Sequence, residues 1–220
     1  MADGPGTAAP VAPLLIACAL GIEQFALRSG RGRAGAAPGP VTVLRTGMGP
    51  AAAEEAVSRA LGRDPAPGTA VLASGFCAGL VPGMHPGDLV VADETRETAG
   101  DPTVCTGPGL LAEALARAVP GRAVHTGPLA GSAHVVRGPG RAGLRATGAV
   151  AVDMESAATL RTARASGPRP VAAVRVVVDA PEHELVRIGT IRGGISAFRV
   201  LRAVLPAFYE WHRSLLLPRR

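Results

Sequence analysis

Seven short apolar runs bounded by glycine or proline set the terms for this chain: Leu14 to Leu20, Val41 to Arg45, Ala70 to Ala73, Asp88 to Ala92, Val124 to Thr126, Ala149 to Val152 and Val171 to Val178. Runs this short, with little polar alternation, suit strands covered on both faces. Ala-, Leu- and Arg-rich segments with helical spacing lie between several of them, at Ala51 to Leu61, Gly109 to Ala118 and Glu155 to Ala165. A longer one closes the chain from Gly194 to Leu217, with a kink expected at Pro206. This alternation predicts an α/β layered fold with helices on the sheet faces. Arg28 to Pro40 and Pro181 to Arg192 read as loops. No internal repeat or linker divides the chain, so its 220 residues are expected to form one domain, with residues 1–12 disordered.

The first run needs a separate decision. Val11 to Cys18 has the look of a signal peptide's apolar core ending in cysteine, yet the only charged side chain between Met1 and Pro10 is Asp3. A secretory segment carries positive charge there, and the run is too short to span a membrane. It is read as the first buried strand.

Charge and composition exclude several chemistries. All 23 basic residues are arginine, which leaves no lysine for a Schiff base, a pyridoxal-phosphate anchor or a P-loop. The net charge of +6 is spread along the chain, and aromatic residues make up 3%, too few to stack on bases. No nucleic-acid partner is expected. Cys18, Cys77 and Cys105 are far apart and form no CxxC pair, which points to a reducing, cytoplasmic compartment and no zinc site. The five histidines show no metal spacing, so neither metal nor cofactor is expected.

In α/β sheets, ligands gather beyond the carboxyl ends of strands, and polar residues directly after apolar runs are the ones to inspect. Glu23 follows the first run. Thr46-Gly47-Met48-Gly49-Pro50 is a glycine turn leading into a helix, whose amides could receive an anion or a hydroxyl. In Val152-Asp153-Met154-Glu155-Ser156 a strand meets a helix with an acid at the junction, which could equally serve the helix dipole. Asp179 ends the Val176-Val177-Val178 run. Desolvation there would favour the neutral carboxyl that general-acid work requires, although a turn-forming Asp before Ala180-Pro181 is the plainer alternative.

Taken in order, these segments resemble one family. Ala19-Leu20-Gly21-Ile22-Glu23, Thr46-Gly47-Met48-Gly49, Ser74 to Leu80 with Pro86 to Val91, Val152 to Ala158, and Arg175 to Asp179 are similar to the nucleoside phosphorylase superfamily. The Asp153-Met154-Glu155-Ser156-Ala157-Ala158 stretch is the most specific of these. Within the superfamily the chain resembles the methylthioadenosine/S-adenosylhomocysteine nucleosidase branch, and most nearly the hopanoid-associated bacterial enzymes thought to remove adenine from adenosylhopane. The Gly-Asp-Pro-x-Arg phosphate motif of many phosphorylases is missing near the N-terminus.

The resemblance implies a three-layer α/β sandwich with a central mixed, partly barrel-like sheet. It implies cleavage of an N-glycosidic bond, with Asp179 protonating the purine and Glu23 orienting and deprotonating the attacking water. Glu155 would bind the ribose hydroxyls, Met154 would lie against the sugar, and the Val135 backbone would meet the base. Gly47 belongs to the glycine turn at the site. His134 stands where relatives stack a Phe on adenine, and either stacks or lies in solvent. Phe76 replaces a small residue near the sugar or phosphate, and Val178 replaces a Ser. The implied partner is a small-molecule nucleoside, lipid-linked if the substrate is adenosylhopane, with inorganic phosphate open as the alternative nucleophile. Arg45 or Arg175 could serve such a phosphate. A homodimer or higher homo-oligomer is implied as well. Glu182 and His183 are candidate rim groups. Trp211 with Leu215 to Leu217, Arg219 and Arg220 either docks on the core or contacts a membrane surface.

Overall fold

The structure, a computed structural model, describes residues 11–63, 68–97, 100–180 and 189–216, with the backbone alone for 189–195. Its frame is an eight-stranded mixed sheet. Strand β1 (Leu14–Cys18) lies between β2 (Val41–Arg45) and β3 (Ala70–Gly79) and is parallel to both. Strand β8 (Val171–Asp179) runs parallel to β3 on its other side, and β4 (Leu89–Arg96) pairs antiparallel with β8. Then β6 (Val124–Gly131) pairs with β4, and β7 (Ala151–Asp153) joins β6 to the far end of β3. Strands β3, β8, β4, β6 and β7 therefore close into a ring, while β1 and β2 extend from it as an open wing.

Strand alternation divides the core between two helical layers. Leu14, Ile16 and Cys18 face α1 (Gly21–Gly30), α3 (Pro108–Ala118), α6 (Gly189–Ala203) and α7 (Leu205–Ser214), joining a core with Leu27, Leu115, Leu201 and Phe208. Leu15 and Ala17 point the other way, toward Val57 and Leu61 of α2 (Pro50–Gly62) and Leu160 of α5 (Ser156–Ala165). A period of two along β1 thus serves both layers at once. Each fully buried Leu or Ile in these cores stabilises by about 1.5–3 kcal/mol. The result is the expected α/β sandwich with a mixed, partly barrel-like sheet.

The expected strands all form, and β2 has the predicted bounds. Leu14 to Cys18 is fully buried strand, as read against a signal segment. Other elements depart from expectation. The loop from Arg28 begins later than predicted, because α1 continues to Gly30 and a 3-10 turn follows at Arg31–Arg33. A short strand, β5 (Thr103–Val104), and a helix, α4 (Pro139–Ala146), were not anticipated. The C-terminal segment is two helices that meet at Val204, because Pro206 sits in the first turn of α7, where its missing N–H costs no helical bond. Trp211 is core, not membrane anchor: it is 1% exposed and its Nε1 donates to the Thr106 carbonyl at 2.8 Å. Leu217, Arg219 and Arg220 lie outside the described residues. Among the described residues no helix is long and apolar enough to cross a membrane.

Candidate active site

At one end of the ring a cavity of about 260 Å³ opens between the ends of β3, β7 and β8, the start of α1 and the β6–α4 loop. Strand ends deliver its acids. Asp179 is the last residue of β8, Asp153 the last of β7, and Glu155 lies just before α5. Glu23 comes from the first turn of α1. All four line the cavity and each is less than one-tenth exposed.

Glu23 is held by three backbone donors. Its Oε2 accepts from the N–H groups of Ala19 and Leu20 at 2.9 and 2.8 Å, and Oε1 accepts from Phe76 at 2.8 Å. An acid three residues after the residue preceding the helix satisfies the otherwise orphaned amides at that helix end. A carboxylate offers about four acceptor positions, so one remains for a small molecule such as water. Gly75 makes room for this arrangement. Its φ is +149°, and a Cβ there would fall 2.4 Å from Glu23 Oε1 and 2.5 Å from Arg175 Nη1.

Arg175 lies buried behind these acids. It is 1% exposed, its Nη2 lies 2.6 Å from Asp153 Oδ2, and its Nε donates to Ser156 Oγ at 2.8 Å. Asp153 also accepts from the Ser156 N–H at 3.2 Å. Glu155 Oε1 accepts from the Gly49 N–H at 2.9 Å. Burial pushes the Glu155 pKa above the usual carboxylate range, against the opposing pull of Arg175 and the Gly49 amide.

Asp179 does not stand alone in an apolar setting, as its sequence position suggested. Its Oδ2 is paired with Nη2 of Arg141, an 8%-exposed residue in the first turn of α4. Arg141 Nε donates to the Val136 carbonyl at 3.1 Å, tying the pair to the β6–α4 loop.

Met154, Phe76, His134 and Val135 also line the cavity, so the structure brings together seven of the eight residues singled out from sequence. Gly47 is the exception. It holds a positive φ of 88° two residues before Gly49, and the amide used at the site is that of Gly49. His134 is exposed, with its backbone fastened through Ser132 Oγ. Arg45 is exposed and does not line the cavity. Glu182 and His183 fall outside the described residues. Sequence reasoning missed Arg141 and the Arg175–Asp153 pair. Among the described residues no cluster of His, Cys, Asp or Glu could hold a metal ion, and Cys18, Cys77 and Cys105 are free and buried.

A family model described as the phosphorylase superfamily matches residues 6–206. No curated protein matches the chain. Among solved structures, the 5′-methylthioadenosine/S-adenosylhomocysteine nucleosidase of Neisseria meningitidis, in complex with methylthio-immucillin-A, superposes with a TM-score of 0.72 at 21% identity, covering 92% of this chain and 99% of that one. A putative methylthioadenosine nucleosidase from Weissella paramesenteroides gives 0.73 at 18% identity, covering 92% and 98%. The nucleosidase of Colwellia psychrerythraea in complex with adenine gives 0.71 at 16% identity, covering 93% and 96%.

Proposed function

The chain belongs to the phosphorylase superfamily, and from that premise we propose that it cleaves the N-glycosidic bond of a 5′-modified adenine nucleoside, releasing adenine. The observation that carries this is the convergence of Asp179, Glu155 and Glu23 from three separate elements on one cavity. In this reading Asp179 gives a proton to purine N7 while the C1′–N9 bond breaks and its electron pair leaves with the base. Glu155 accepts the ribose hydroxyls, and Met154 lies against the sugar. Negative charge beside the ring stabilises the oxocarbenium-like transition state. Glu23 aligns a water through its remaining acceptor position and takes that water's proton as oxygen bonds to C1′. Val135 and His134 form the base side of the cavity.

An acid at the base position favours adenine, whose N6–H donates to a carboxylate, over a 6-oxopurine, which offers an acceptor there. The adenine and methylthio-immucillin-A complexes of the fold relatives agree with that choice.

Water is favoured over phosphate. Among the described residues, Arg141 is ion-paired with Asp179 and Arg175 with Asp153, so each of these charges is balanced by a carboxylate. A phosphorylase must hold a dianion beside the ribose.

The 5′ substituent is taken to be apolar and extended, as in adenosylhopane. Met48 and Val135 at the cavity wall are 69% and 68% exposed, and Ile22 and Phe25 on α1 stand 53% and 64% exposed, with Phe25 stacked on Phe198. Such a run of exposed apolar side chains suits an oily ligand.

The test is adenine release from 5′-deoxyadenosine, methylthioadenosine and adenosylhopane, each with and without phosphate, for wild type, Asp179→Asn and Glu23→Gln. Release by wild type that is lost in both variants and independent of phosphate is the expected result. A saturable phosphate requirement would replace hydrolysis by phosphorolysis. Undiminished release by Asp179→Asn would remove the acid from its role.

A further inference from the structure

Arg141 is a charged, cavity-lining residue to which the glycosidase assignment gives no role. Burying a guanidinium is costly unless it is paired, and its burial here brings it onto Asp179. The pair is single-stranded: Arg141 Nη1 and Asp179 Oδ1 are both buried and have no hydrogen-bond partner among the described residues. Arginine and carboxylate commonly close such a pair with two parallel bonds. Here one oxygen of a cavity-lining carboxylate is held, and the other is buried with unused hydrogen-bonding capacity. The Arg141 Nε bond to Val136 anchors the guanidinium on the loop that carries His134 and Val135, so acid and base-side wall are fixed to each other.

Resting on the glycosidase assignment above, we propose that Arg141 is a positioning residue for departure of the purine. It fixes the orientation of the Asp179 carboxyl through Oδ2, and it balances the charge that Asp179 acquires when its proton passes to N7. In that step the O–H bond of the carboxyl breaks, the N7–H bond forms, and the C1′–N9 electron pair goes to the neutral leaving base. The carboxylate left behind is the ion-pair partner seen beside Arg141, and bulk water returns the proton before the next turnover.

A role confined to base protonation is separable from one in folding by changing the leaving group. A p-nitrophenyl 5-deoxyriboside expels a stable anion and needs no proton from Asp179, whereas methylthioadenosine needs one. For Arg141→Gln, kcat on methylthioadenosine is expected to fall about 100-fold with KM nearly unchanged, the lower end of what a positioned general acid contributes. Cleavage of the nitrophenyl riboside is expected to fall far less, and Arg141→Lys, which keeps the charge, is expected to recover about tenfold of the lost kcat. Equal losses on both substrates, a change in KM alone, or no loss at all would each overturn the role given to Arg141. Failure of the glycosidase assignment has a different signature: wild type releases no adenine, or Asp179→Asn releases it as fast as wild type.

Discussion

The backbone N–H of Gly49 donates to Oε1 of Glu155 at 2.9 Å across 106 positions of sequence. The turn after β2 and the acid before α5 are thereby one structural unit, and the glycine turn serves the site by holding a carboxylate. Nothing in the turn's own sequence says which partner its amides will find.

Glu155 sets an acid limit on nucleoside binding. Its pKa is raised chiefly by burial, so it takes up a proton at a higher pH than an ordinary glutamate. If the ionised form accepts the ribose hydroxyls, KM should rise as pH falls through that raised value. Glu155→Gln should bind about tenfold more weakly near pH 7.5, in line with about 1.5–3 kcal/mol for hydrogen bonds to a charged group, and should show no such pH dependence. Steady-state KM between pH 4.5 and 8 checks both, and a pH-dependent KM persisting in the variant would assign the limb to another group.

Gly75 has no room for a side chain. A methyl group there would meet Glu23 Oε1 and Arg175 Nη1 at well under contact distance, at a φ that side-chain-bearing residues rarely adopt. Gly75→Ala should lose about 1–3 kcal/mol of stability as overpacking does, measured by urea denaturation, and should lose turnover while still folded, because Glu23 is displaced. Wild-type stability and turnover together would show that the strand absorbs the methyl without cost.

Much of this site was legible because the fold places ligands at strand ends. Asp179 and Asp153 are terminal residues of β8 and β7, and Glu155 follows within two residues. Glu23 was found without its helix: α1 opens with a glycine and runs into Gly- and Arg-rich sequence, which masked it. The reciprocal acid at its third position was the available signal. Arg141 carried no local signal, being one of 23 arginines, and its pairing depends on how the loop after β6 returns across the end of β8. Arg175 sat in view within an apolar strand. A charge in that position had to be matched by a buried acid.

The Arg175–Asp153 pair predicts a non-additive cycle. Removing the cation alone, in Arg175→Met, strands a carboxylate beside Cys77 and should cost about 3–5 kcal/mol, as breaking buried pairs does. Arg175→Met combined with Asp153→Leu should recover part of that loss, because the buried Asp153 charge is removed together with its partner. Chemical denaturation of the two single variants and the double variant measures the coupling. Additive losses would mean that the two side chains act on stability independently.

His212 gives the fold its own pH dependence. It is 1% exposed on α7, and burial lowers its pKa against the opposing pull of the nearby Ala12 backbone. The unfolded chain binds a proton here near pH 6.5, whereas the folded chain binds it at a lower pH. Between those values the unfolded state holds more protons, so stability is full above about pH 6.5 and falls as the pH drops through the folded value. Glu155, with its raised pKa, acts in the opposite sense and is common to wild type and variant. Thermal unfolding of wild type should therefore move to lower temperature from pH 7.5 to 5, and His212→Gln should show a shallower decline over the same interval. An identical slope in the two proteins would remove His212 as the source.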